Sequence, residues 1–204
     1  MSVEGLAQRW GGRAGVIAFV LASLALARAV GDRFPDPAAV YAAPHEVAAA
    51  WEEPAELRTV VITLGEVSAG ERLQAGSALY ATEGVFVVVD LEYEPTITDV
   101  GLSHAELVAA DGRTYQPTRR DANTCIVASP AIPETCSIAF ELPADAAPGA
   151  TLHLATNAFN QSYDSLLVAP LPIAETADLD ALLAQAPDGL ATLVQQGTGP
   201  RGGR

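Results

Sequence analysis

Residues 85–93 read VFVVVDLEY, and the fold turns on them. At period two, Val85, Val87, Val89, Leu91 and Tyr93 share one face of an extended chain, while Phe86, Val88, Asp90 and Glu92 take the other. The stretch is rich in β-branched and aromatic side chains, which fit a pleated, half-buried surface. It predicts a strand whose Val85 face meets the core.

The same alternation recurs on both sides. Upstream, Val60, Ile62 and Leu64 alternate with Thr59, Val61 and Thr63, with the Gly-containing stretch ERLQAGS (71–77) lying between the two strands. Downstream, residues 105–110 and 113–116 flank Asp111-Gly112, a pair that supplies the positive φ angles of a tight hairpin turn. Cys136, Ile138, Phe140 and Leu142 alternate with Ser137, Ala139 and Glu141, so Cys136 is expected on the core side. Pro143 ends that strand and Pro148-Gly149 turns the chain. Leu152 and Leu154 then point inward on the next strand, and residues 165–169 form the last. Roughly seven short strands without long intervening helices predict a mainly β protein, an immunoglobulin-like antiparallel β-sandwich over residues 57–173.

The flanks are of different character. Residues 14–27 read AGVIAFVLASLALA, preceded by Arg9 and Arg13 and followed by Arg28. The apolar segment 14–30, at about 1.5 Å per residue, reaches only the lower limit for crossing a bilayer core. Two readings compete. One is an uncleaved transmembrane anchor with residues 1–13 cytoplasmic, as the basic flank favours. The other is a signal peptide cleaved at Ala27-Arg28-Ala29, releasing a secreted protein. Both export everything beyond residue 30. Pro35, Pro37, Pro44 and Pro54 make residues 31–56 a Pro/Ala-rich stalk, with a helical turn or two expected in 45–53. Residues 174–204 read as a tail in which Thr176 or Asp178 caps a short helix running to Ala186.

Composition fits export. Of 204 residues, 25 are acidic and 11 basic, every basic one arginine, giving a net charge of -14. That charge repels nucleic acid and anionic lipid, so neither is expected as a partner of the exported part. Cys125 and Cys136 flank a Pro-containing excursion and are expected to close it with a disulfide. Their spacing is not C-x-x-C, and neither has an adjacent His to build a zinc site.

The order of an apolar N-terminal segment, a Pro-rich stalk, the GVFVVVDLEY strand, the ADGRTYQP hairpin and the CSIAFELPADAAPGATLHL segment resembles the telokin-like, immunoglobulin-like extracytoplasmic domains of unknown function in exported bacterial proteins. The likeness spans about residues 57–173, and it implies a sandwich at the cell surface with no shared catalytic residues. No cysteine near the N-terminal segment is present to accept a lipid, so the lipoprotein route is not expected.

Candidate sites follow from residue types. Asp90, Glu92 and Glu94 share a strand face, with Asp99 shortly after, and such hard oxygen ligands are what Ca²⁺ takes; the competing reading is a solvated outer face, and no metal or other cofactor is expected. His45, His104 and His153 are scattered along the chain, and no nucleophile elbow, zinc-binding helix motif or phosphate loop occurs, so an enzyme is not expected. The loop NAFNQSYD (157–164) mixes aromatic and amide side chains as recognition loops do, through Asn157, Phe159, Asn160, Gln161 and Tyr163. The expected function is a non-enzymatic, membrane-anchored accessory or partner-binding domain of the cell envelope. The alternative is a secreted ligand- or ion-binding protein.

Overall fold

The computed structural model describes residues 3–31, 44–118, 123–156, 165–194 and 196–198. Two compact units divide at residue 43.

The first unit contains helix α1, Val3–Gly31, which takes in the whole apolar run. Val16, Ile17, Phe19, Val20, Leu21, Leu24 and Leu26 are all exposed. At about 100° per residue these positions spread around the helix rather than lining one stripe, unlike the face a globular core requires. Among the described residues no helix is long and apolar enough to cross a membrane.

The second unit is two sheets enclosing a core. One sheet runs β1 (His45–Ala48), β9 (Ser165–Pro170), β8 (Thr151–Ala155), β5 (His104–Val108), β6 (Thr114–Tyr115). The other runs β10 (Leu190–Thr192), β3 (Val60–Ala75), β4 (Ala78–Pro95), β7 (Glu134–Leu142), β11 (Gly197–Thr198), with β2 (Pro54–Glu56) also paired to β3. The expected alternations hold at the centre. Val60, Ile62, Leu64, Val87, Tyr93, Ile138, Phe140, Leu107, Leu152 and Leu154 are wholly buried in one cluster between the sheets. The Asp111-Gly112 turn also forms, with Gly112 at φ 86° and Leu107 opposite Tyr115. Asp111 Oδ1 accepts the Arg113 backbone N–H at 3.0 Å, and chiefly this bond holds the Asp111 carboxyl below its ordinary range.

Four features depart from expectation. The ERLQAGS stretch does not separate two strands: β3 continues through most of it and turns at Gly76 (φ 59°) directly into β4, making a long hairpin with bulges at Leu64/Val67 and Gly70/Arg72. Phe86 and Val88 are as buried as their alternates, packed with Leu73, Ala139, Ala191 and Leu193 on the outer side of the second sheet. That is why VFVVV is continuously apolar: both of its faces are covered.

The third departure is at the predicted stalk. Residues 44–56 belong to the folded unit, and the turn of helix expected in 45–53 is instead β1 on one sheet followed by β2 on the other. The Trp51 indole N–H donates to Pro170 O at 2.6 Å, and Glu52 N–H to Leu64 O at 2.8 Å, so this segment ties the two sheets together. Glu52 has φ 66°.

The fourth is at the predicted tail, which is likewise structural. Helix α2 spans Thr176–Gln185 with Glu175, not Thr176 or Asp178, at its cap; Asp178 completes a capping box by accepting the Glu175 N–H at 2.9 Å. Leu179 packs into the main core. Beyond α2, β10 runs parallel to β3, as β1 does to β9, so the two sheets are antiparallel inside and parallel at one edge each. These short edge strands shield longer ones that would otherwise present unpaired backbone.

Candidate functional site

The antiparallel register of β5 and β8 sets Glu106 opposite His153 and His104 opposite Ala155 on the outer face of the first sheet. Glu106 Oε1 consequently lies 3.4 Å from His153 Nδ1 and 3.8 Å from His104 Nε2. Its other oxygen accepts from Gln116 Nε2 at 3.2 Å. All three acid and imidazole side chains are largely covered, at 13–23% exposure, so the carboxylate and the two rings form one compact polar cluster on that face. Spacing along the sequence gives no sign of this meeting. His104 and His153 are far apart in the chain, and only the strand order makes them neighbours.

Of the acids singled out from the sequence, Asp90, Glu92 and Glu94 share a face of β4 and Asp99 lies beyond its end, but they serve different surroundings. Asp90 Oδ1 accepts the Ser137 hydroxyl at 2.5 Å. Glu92 joins Glu52, Thr63, Leu64, Gly65 and Glu66 around an open recess of about 410 Å³, beside the bulge in β3. Glu94 and Asp99 are exposed. Among the described residues there is no group of three or more His, Cys, Asp or Glu side chains arranged as metal ligands, and Asp90, Glu92, Glu94 and Asp99 do not converge into one. The expected recognition residues Asn157, Phe159, Asn160, Gln161 and Tyr163 lie outside the described residues.

Cys125 and Cys136 are bonded, with Cα atoms 5.1 Å apart. Both are buried in the main core, Cys136 on the inward face that its alternation predicts. The loop they close is further pinned. Val100 and Ala128 exchange backbone hydrogen bonds at 3.0 and 2.9 Å, Ala131 N–H donates to Pro95 O at 2.9 Å, and the Tyr93 hydroxyl donates to Ile126 O. Burial, and after it the negative charge of Glu134, pushes the Tyr93 phenol up to about 12.

No family model matches the chain, and no curated protein does. Two solved structures are similar to it. An uncharacterized β-sandwich protein from Clostridium difficile 630 shares 13% identity at a TM-score of 0.42, covering 63% of this chain and 94% of its own. The yjhA protein of Bacillus subtilis shares 13% identity at a TM-score of 0.44, covering 61% of this chain and 99% of its own.

Proposed function

We propose that the chain is an exported, non-enzymatic partner-binding domain of the cell envelope: an immunoglobulin-like frame carried outward by residues 14–30. The observation that carries this reading is the Cys125–Cys136 bond. Such bonds persist in oxidising compartments and are rare where thiols are kept reduced. The sequence order supports it, because an apolar run behind Arg9 and Arg13 and ending at Ala27-Arg28-Ala29 suits a segment that directs export with the N-terminus inside, although no described helix is long and apolar enough to cross a membrane. A rigid two-sheet frame in turn suits the display of loops to a partner. The segment then either remains as an anchor or is removed near Ala29, leaving a secreted binding protein.

Protease treatment of intact cells, followed by N-terminal sequencing of the recovered protein, tests both steps. Degradation of residues 44–198 without cell lysis, or their recovery from the medium, supports export; full protection until lysis refutes it. An N-terminus near Val30 identifies the released form, and one at Met1 the anchored form.

A further inference from the structure

We propose that the disulfide-closed end of the sandwich is a docking surface for a protein partner whose contact face is apolar and edged with arginine or lysine; this deepens the partner-binding reading and rests on it. Ile97, Ile126, Val127 and Ile132 are exposed by 74%, 65%, 65% and 42%. They sit on two adjoining segments. The Val100–Ala128 and Ala131–Pro95 backbone bonds hold these side by side, and a Cβ placed on Gly101 would come within 3.2 Å of the Ile126 and Val127 backbone. Isolated exposed apolar residues are ordinary, whereas several gathered at one end mark an interaction surface.

Two properties favour a protein occupant of this charge. The first is rigidity. The disulfide, the backbone bonds and the Gln196 side chain, which accepts the Ile126 N–H at 2.9 Å, fix the loop in advance, so little ordering entropy is lost on binding. The second is the surrounding charge. Residues 93–103 and 123–136 contain no arginine, lysine or histidine, while Glu94, Asp99 and Glu134 supply three carboxylates; exposed Arg58, next to the Thr59 that bonds Thr96, offsets one of them and leaves the balance acidic. A partner that covered the isoleucines without offering cations would leave those carboxylates desolvated and unpaired. A second copy of this chain would bring carboxylates against carboxylates, and an anionic bilayer would be repelled in the same way.

The test titrates the full chain into two fluorescent peptides that share one Leu/Ile/Phe core and are flanked either by arginines or by glutamates, read by anisotropy at low and high salt. The arginine-flanked peptide is expected to bind at least about tenfold more tightly, with the preference shrinking as salt rises. The Val127→Ser/Ile132→Ser variant is expected to lose about tenfold. Its Cys125–Cys136 link and melting transition serve as the folding control, and Leu79→Ser, another exposed apolar site, is expected to change nothing. Equal affinity for both peptides, no binding, an unaffected double variant, self-association through this end, or binding to phosphatidylcholine vesicles in place of peptide each overturns the proposal. Export is read separately by the protease experiment, so a failed peptide titration with residues 44–198 accessible sinks the docking surface alone.

Discussion

Replacing Ser137 by alanine isolates one polar junction with little change in packing. Ser137 is wholly buried on β7, yet its hydroxyl donates to Asp90 Oδ1 at 2.5 Å and accepts the Val194 N–H at 2.8 Å. Around it, the Thr124 hydroxyl accepts the Ser137 N–H at 2.8 Å, so β4, β7, the start of the disulfide loop and the C-terminal segment meet at one point. Ser137→Ala removes a hydrogen bond to a carboxylate and takes the acceptor from a part-buried N–H. Summing a charge-assisted bond with one orphaned backbone donor gives a loss of about 3 kcal/mol. For a domain of this size that lowers the melting temperature by about 6–12 °C. Urea titration followed by circular dichroism measures it, with Val108→Ala on the opposite sheet as a comparison. A loss below about 0.5 kcal/mol, the scale of an ordinary surface substitution, would refute the reasoning, because the hydroxyl would then be joining nothing that stability depends on.

Four further outcomes are expected. Cys125→Ala/Cys136→Ala should cost about 3 kcal/mol, from closure of an 11-residue separation, and reductant should lower the melting temperature of the parent but not of the variant. Gly70→Ala drives a Cβ to 2.7 Å from the backbone of Gly189 and Ala191, so it should cost about 1–3 kcal/mol and open residues 187–198 to limited proteolysis. Spectrophotometric titration should show one of the five tyrosines ionising only near pH 12, and Tyr93→Phe should abolish that late step. Because the folded phenol ionises later than the unfolded one, its contribution to stability is complete below pH 10 and is lost as the pH climbs from 10 toward 12.

The strands that make the core were legible because their signal is local. Val85 through Tyr93 and Cys136 through Leu142 each carry an inward apolar set that only an extended chain can gather on one side. The Asp111-Gly112 turn was equally local, since its geometry depends on one glycine and one aspartate side chain. The edges were not legible. β1 and β2 are short, the first preceded by Pro44 and the second opening on Pro54, and proline and alanine in a sequence look alike whether they form a stalk or a strap. What binds the strap is Trp51 reaching Pro170, a contact across 119 positions. The same holds for residues 190–193, where Ala191 and Leu193 pack with Phe86 and Val88, a placement disclosed only by the apolarity of both faces of β4. For the site, the cysteine pair could be read from spacing and context, whereas the approach of His104 and His153 to Glu106 depends on which strands are neighbours. The acids on β4 were correctly grouped by face, but facing the same way did not bring them to a common point.

The redox state of Cys125 and Cys136 in the producing cell is the decisive quantity, trapped by rapid acid quench and read as a mass shift after maleimide alkylation before and after reduction. A chain that folds outside the cytoplasm around a covalently closed loop should take up no label before reduction and two labels after it. Two labels before reduction, on protein that is folded and abundant, would contradict both the compartment and the loop that the proposed surface is built upon.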